Sequence, residues 1–491
     1  MEQKSQEKKT YVQNNRILIK KYLQQHSLVE SNIISFNDFI ERRLQEIIDM
    51  INEEISREEV ELYLGKIYVG KPQITEGDGA VHQISPIEAR LRKITYSAPL
   101  YLELSTSGKE FTTVELGRIP IMVKSKYCNL SGMSSEELIK SFEDPSDPGG
   151  YFIINGNERI PIIIEDLAQN QPFSEITAKG HILRVLSQRG SYRIPVTINE
   201  TNQGEILVSF SRFKNISAIL LAKALGLTKD SEIAGLIEKE TDSLIVSLSA
   251  FSTINDAEDA IMAIGEKMSI QGNKKEIINR VRTRIDSAFL PHIGTKPEAR
   301  REKVITLCKL VKQFLISKEL KLITDRDHYA NKRLRLSGDL LADLFRVNLN
   351  IFVRDLQHSI QKIEKKKKFY PIKSIAKATL FQHRIESAIA TGSWIGERAG
   401  VTQNMDKTNG LAVLSQLQRV VSSLPSEQEN FKARTLHPTH YGRFCPVETP
   451  EGTSIGLRKN LAMMAKVSTA IKMSDKELLE IFEKDGMKRV K

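Results

Sequence analysis

The hydrophobic period changes repeatedly along these 491 residues, and that alternation constrains the fold more than any single motif. In "FNDFIERRLQEIIDMINEEIS", residues 36–56, Phe39, Ile40, Leu44, Ile47, Ile48 and Ile51 recur at helical spacing, which predicts an amphipathic helix. Between Glu61 and Tyr127, runs such as "ELYLGKIYV", "LYLEL" and "IPIMV" alternate with period two between Gly, Pro and Ser, which predicts strands. "YFIINGNERIPI" predicts a hairpin that turns at Asn155-Gly156, where glycine supplies a positive φ at little cost. From about 192 to 336 strand-like and helical stretches mix, as in a separate inserted unit. Ser337 then stands where an N-cap is expected, followed by Leu341, Phe345, Leu349, Phe352, Leu356, Ile360 and Ile363 at steps of three or four. One long helix should therefore run to the lysines at 365–368 and stop before Pro371. Residues 382–466 are loop-rich yet interleaved with apolar positions, and the last 25 residues predict one helix, capped by Ser474 or Asp475, with a basic end. The pattern is that of an α+β, multidomain chain, because a single core stops growing at about 250–300 residues.

Composition narrows the setting. Three cysteines, Cys128, Cys308 and Cys445, lie too far apart for a CxxC pair, which argues against a disulfide framework and a thiolate zinc site. The N-terminal "MEQKSQEKKTYVQNN" lacks the apolar core of a signal peptide, and nowhere do about 18 apolar residues run together. A cytoplasmic protein with no membrane partner is expected. The net charge of +11 is local: residues 301–380 hold 19 Lys and Arg against 8 Asp and Glu, so this stretch accounts for all of it. Lys365, Lys366, Lys367 and Lys368 fit either the solvated end of a helix or a nonspecific basic patch for a polyanion.

The densest chemistry lies in "HPTHYGRFCPVETPEGTSIGLRKN", residues 437–460. His437 and His440 with Glu448 and Glu451 offer metal-type ligands, but no HExxH arrangement is present and Pro438, Pro446 and Pro450 forbid a continuous helix. Cys445 with His440 as base is a second possibility, yet Phe444 and Pro446 provide no cationic setting for a thiolate. A third reading suits the backbone better. The prolines restrict the loop, Gly442, Gly452 and Gly456 allow tight bends, and Arg443, Arg458 and Lys459 could meet phosphates while Glu448 and Glu451 orient them.

"HPTHYGRFCPVETPEGTSIGLRKNLAMMA" resembles the ETPEG segment of the second-largest subunit of multisubunit DNA-directed RNA polymerases. "SPIEARLRKITYSAPLYLEL", "LGRIPIMVKSKYCNL", "DPGGYFIINGNERIPI", "DRDHYANKRLRLSGDLLADLFR" and "ATGSWIGERAGVTQNMDKTNGLAVLSQLQRV" resemble that subunit's segments in the same order. The resemblance covers roughly residues 85–466. It implies a protrusion in residues 1–192 and 337–382, a lobe at 193–336 inserted into it, a fork at 383–466 and a tail at 467–491. The family's ligand for the second magnesium, its RNA-facing lysines, its hybrid-binding module and its zinc-bearing clamp portion lie downstream of the ETPEG segment. The resemblance thus implies an N-terminal half encoded as its own polypeptide, the archaeal split form known as B''. Such a chain would be inactive alone and would bind no cofactor itself, with Mg2+ held by other chains. The implied partners are the C-terminal half of the second-largest subunit, the largest subunit, template DNA and the RNA–DNA hybrid.

By the same resemblance, Gln403, Asp406, Gln416 and Arg419 lie where bacterial enzymes form the rifamycin pocket beside nascent RNA, although Gln416 replaces the usual bacterial histidine. "SSLPSEQEN", 422–430, lies at the fork loop and carries two Glu and no basic residue, which favours a steric role at the point of strand separation. Arg398, Gln403, Lys407, Arg419, Lys432, Arg434, Arg443 and Lys459 are the candidate nucleic-acid contacts, with Glu448 and Glu451 near the nucleotide site as organising carboxylates. Each cation could instead be an intramolecular ion pair. The rival functions are a stand-alone nucleic-acid-binding scaffold and a Cys/His hydrolase.

Overall fold

The computed structural model describes residues 15–487 apart from 23–25, 56–61, 107, 109, 179, 191, 255, 271, 366–370, 376–378, 395–398, 426, 428, 469–472 and 474. The chain is α+β, as its hydrophobic pattern predicts. Contacts divide it into two compact units, Met1–Glu165 with Leu334–Lys491, and Asp166–Arg333.

After a helical stretch over residues 15–22, the first unit has helices α1 (Glu30–Asp38) and α2 (Leu44–Ile55), joined by a π-helical turn over Phe39–Arg43. This is the helix expected over 36–56, and Phe39, Ile40, Leu44, Ile47, Ile48 and Ile51 are all buried. Strands β1 (Tyr63–Val69), β2 (Ser97–Ser105) and β3 (Thr112–Pro120) form an antiparallel sheet in that order. Strands β4 (Phe152–Ile154) and β5 (Asn157–Pro161) make the predicted hairpin, with positive φ at both Asn155 (50°) and Gly156 (79°). A Cβ on Gly156 would approach Lys93 Cα to 2.8 Å, so glycine is required there twice over. Strand β6 (Ile163–Leu167) follows directly.

The chain returns to this unit as α3 (Ser337–Lys365), the long helix read from the sequence. Leu341, Phe345, Leu349, Phe352, Leu356 and Ile360 are buried along one face, and the helix reaches the lysine cluster. Lys366, Lys367 and Lys368 lie outside the described residues. Its beginning differs from expectation. The Ser337 hydroxyl donates to the carbonyl of Asn32 in α1 at 3.0 Å, and Asp339 accepts the Leu336 amide at 2.9 Å instead. Asp339 also pairs with Arg43. Tertiary contact to α1 has displaced the local cap because the two helices touch at backbone distance: a Cβ on Gly338 would lie 2.0 Å from the Ser35 carbonyl oxygen.

Helix α4 (Thr379–Thr391), strand β7 (Thr402–Asn404), helix α5 (Gly410–Leu417), strands β8 (Arg419–Ser422) and β9 (Arg458–Asn460) and a last helix α6 (Asp475–Lys484) complete the unit. Residues 383–466 share its core, since the Trp394 indole donates to Leu340 O at 3.1 Å and Leu417 is buried with α1 and α3 side chains.

The second unit is built on a five-stranded antiparallel meander, Pro172–Thr177, Gly180–Arg189, Tyr192–Glu200, Ile206–Phe210 and Phe213–Ser217, with helices that include the 20-residue Arg300–Glu319. Within this unit Gly180–Arg189 and Tyr192–Glu200 pair along their lengths as adjacent strands of the sheet. Its core is separate, and the fully buried Lys223 ammonium is satisfied by the carbonyls of Phe251 (2.8 Å) and Ile254 (2.9 Å) and by Asp230 (2.8 Å). Among the described residues, no helix is long and apolar enough to cross a membrane.

The α1–α3 approach yields a direct test. Gly338→Ala gains helix propensity of about 1 kcal/mol, yet it must push a backbone carbonyl away, an overpacking cost of about 1–3 kcal/mol or more. Thermal denaturation should show a lowered melting temperature, whereas Gly410→Ala, also helical but with nothing within 4 Å of its Cβ, should leave it at or slightly above the parent value.

Candidate nucleic-acid interface

Of the sequence-predicted residues, Arg419 and Lys459 lie on the neighbouring strands β8 and β9, beside β6. Strand β8 runs parallel to β6 and antiparallel to β9, with Arg419 opposite Asn460, Val420 opposite Lys459 and Val421 opposite Arg458. Because side chains alternate across a strand, Arg419, Arg458 and Asn460 share one face while Val420 and Lys459 share the other. The buried face is closed by an ion pair. Lys459 Nζ lies 2.5 Å from Glu165 Oε2 of β6, with the two side chains 8% and 4% exposed. The same ammonium stands 5.8 Å from the centre of the Phe444 ring. Lys459, expected from its sequence position to meet phosphate, is therefore enclosed within the unit. A carboxylate 294 positions away neutralises it.

The cleft beside Arg419 and Arg458, of about 260 Å³, is lined by Ser415, Arg419, Glu448, Thr449, Pro450, Arg458, Lys459 and Asn460, although the Lys459 ammonium itself is engaged by Glu165. Glu448 is braced there, its Oε1 accepting from the Ser415 hydroxyl at 2.5 Å and from Asn460 Nδ2 at 2.7 Å. Asn460 Nδ2 also donates to Ser415 O at 3.0 Å. Arg458 is exposed and Arg419 half-buried, and neither guanidinium makes a hydrogen bond or salt bridge among the described residues. Arg419 does act on Asp406, whose carboxyl is held below its usual range first by hydrogen bonds from Thr408 and then by this nearby guanidinium. The cleft thus presents two cations and one oriented carboxylate, a set suited to phosphate and sugar groups.

The loop from 434 to 456 is braced by its own polar groups. Arg434 Nη1 donates to Thr453 O at 2.6 Å and Ile455 O at 3.1 Å, so this cation straps the ETPEG loop. Gly456, at φ +71°, makes that possible, since a Cβ there would come within 2.1 Å of Arg434 O. Thr449 Oγ1 accepts from the Gly456 amide at 2.9 Å and donates to Arg458 O at 3.0 Å. His437 Nδ1 accepts from the Thr439 amide at 3.2 Å, and the buried His440 packs edge-on against Phe444. These histidines organise the loop. Among the described residues no three His, Cys, Asp or Glu groups converge as a metal would require.

The remaining predicted residues lie apart from the cleft. Gln403 is in β7, and Lys407 pairs with Glu158 at 2.6 Å, a carboxylate that also accepts from Arg90 at 3.0 Å. The Gln416 amide is buried and tied to Asn404 O (2.7 Å) and the Asp406 amide (2.8 Å), which fixes the loop between β7 and α5. Lys432, Arg443 and Glu451 are exposed, Arg443 donating to Thr439 O at 3.0 Å. Arg398 lies outside the described residues.

Comparison with known proteins assigns this arrangement to a family. The family described as RNA polymerase beta subunit matches residues 27–383, and the one described as RNA polymerase Rpb2, domain 3, matches 403–467. The chain belongs to the RNA polymerase beta-subunit family. It corresponds to the N-terminal part of the second subunit. The DNA-directed RNA polymerase subunit Rpo2 of Saccharolobus solfataricus is 40% identical over 487 residues, which cover 94% of this chain and 43% of that protein. Subunit Rpo2N of Methanocaldococcus jannaschii is 38% identical over 494 residues, covering 96% of this chain and 99% of that protein. This beta-subunit family member therefore spans less than half the length of its Saccharolobus relatives.

Within this family member, Glu165, Ser415 and Asn460 do as much to build the cleft as the residues singled out from sequence. Arg458 is read from the sequence as a phosphate-facing cation of the loop, while Glu165 has no local signal. Removing one partner of the buried pair should cost about 3–5 kcal/mol, because the other charge is left desolvated. Thermal denaturation should therefore show Lys459→Ala to be far less stable than the parent, and Lys459→Met with Glu165→Leu should recover most of the loss.

Proposed function

We propose that this chain is a subunit of DNA-directed RNA polymerase and that the cleft between α5, β8 and β9 receives the sugar–phosphate backbone of nucleic acid within the assembled enzyme. The observation that carries the reading is the pair Arg419 and Arg458, which face one cleft with neither guanidinium held in a salt bridge among the described residues. Family membership supports the polymerase over a stand-alone scaffold. The Rpo2N relatives, matched over nearly their whole length, support the finer reading of the archaeal split form, B''. Residues 1–192 with 337–382, 193–336 and 383–466 are proposed as protrusion, lobe and fork.

In this reading the reaction is nucleotidyl transfer by the complex. Its partners are the remainder of the second subunit, the largest subunit, template DNA and the RNA–DNA hybrid. Magnesium is assigned to other chains, and no step is routed through residues of this one. Arg419 and Arg458 hold phosphates, and Glu448, braced by Ser415 and Asn460, orients what lies beside them. Lys432 and Arg443 are exposed and extend the cationic surface, and Lys365–Lys368 are kept as a nonspecific basic patch on their sequence alone. Lys459 and Arg434 are left out of the phosphate-binding set because the protein itself engages them. Glu451 and Gln403 remain neighbours of the path, and Arg398 a further contact on the resemblance alone.

The test is the salt dependence of elongation-complex stability in the assembled enzyme. Removal of one phosphate-binding cation should flatten the slope of log K against log salt by about 0.7–0.9. Arg419→Ala with Arg458→Ala should reduce the slope by about 1.4–1.8. A slope equal to the parent's would remove both residues from the interface.

A further inference from the structure

Helix α6, Asp475–Lys484, lies beyond residue 467, where the family match ends. It has ten residues, and helices shorter than about 12–15 residues are marginal in water unless an apolar face is covered. Its apolar residues do form such a face. At 100° per residue, Leu478, Leu479, Ile481 and Phe482 occupy one continuous side of the helix. They remain 39%, 45%, 43% and 43% exposed, and Met473 and Met487 extend the same exposed character at either end.

The flanking charge defines what can cover it. Residues 475–485 hold five Asp and Glu against two Lys, and Glu477 and Glu483 border the apolar stripe on its two sides. A second copy of α6 would set these acidic borders against each other, which disfavours self-pairing. A groove with Lys and Arg on its rim complements them. The Saccharolobus relatives carry more than half of their length outside the region they share with this chain.

We infer that α6 is a docking helix whose apolar stripe seats in a basic-rimmed groove on that remaining part of the second subunit. The inference rests on the polymerase reading above. Four half-exposed side chains bury only on the order of a few hundred Å² against the roughly 800 Å² per partner of a stable interface. The helix therefore adds to a larger contact and does not form it alone.

The experiment titrates the full chain with the remaining second-subunit polypeptide from the same source, expressed separately, by calorimetry. Ile481→Glu with Phe482→Glu should weaken binding at least tenfold, and Glu477→Lys with Glu483→Lys should weaken it several-fold. Because Ile481 and Phe482 are each 43% exposed, the melting temperature of the first variant should match the parent's, which separates lost docking from lost folding. Parent-like affinity in the first variant overturns the docking role. A concentration-dependent homodimer of the parent chain that the same substitutions abolish overturns the assigned occupant. If the parent chain itself fails to bind, the polymerase reading falls and not merely the role of α6.

Discussion

The ion pair between Lys459 and Glu165 decides which way strand β9 faces, and the candidate interface depends on that choice. With the ammonium held 2.5 Å from a carboxylate that is 4% exposed, Lys459 points into the unit, so its neighbours Arg458 and Asn460 point out. A slip of one residue would bury an unpaired guanidinium and expose the lysine. Buried ion pairs are weak sources of net stability, since desolvation offsets much of the attraction, but they discriminate strongly between arrangements. Here the arrangement selected is the one that sets Arg458 beside Arg419 and lets Asn460 brace Glu448.

A second constraint acts where the chain comes back from the unit spanning Asp166–Arg333. The return is secured by contact at backbone distance between α1 and α3, with Gly338 against Ser35 and the Ser337 hydroxyl on Asn32 O. The helix that follows has its buried face along Leu341 to Ile360, and α5 with Leu417 packs into the same core. The strands that carry the cleft are thereby fixed to a scaffold assembled from both ends of the sequence.

Much of this was legible locally. The long helix α3 shows its period of three to four, and the Asn155-Gly156 hairpin carries its own turn chemistry. What could not be read depended on partners distant in sequence. Ser337 looks like a cap until α1 offers a carbonyl, and periodicity does not reveal that Gly180–Arg189 pairs with Tyr192–Glu200. The cations divide in the same way. Arg419, Lys432 and Arg443 face outward as basic residues usually do, whereas Lys459, Lys407 and Arg434 are taken up by Glu165, Glu158 and loop carbonyls. The histidines and glutamates of 437–451 resemble a catalytic set in the sequence, but their hydrogen bonds make them the frame of a loop beside the cleft.

The central claim is that the Arg419–Arg458 face meets nucleic acid and the Lys459 face does not. A photo-activatable residue placed at 458, and separately at 420 on the buried side, in the assembled transcribing enzyme tests it most directly. The account predicts crosslinks to RNA or DNA from position 458 and only protein crosslinks from position 420. Crosslinks from 458 confined to protein would contradict it.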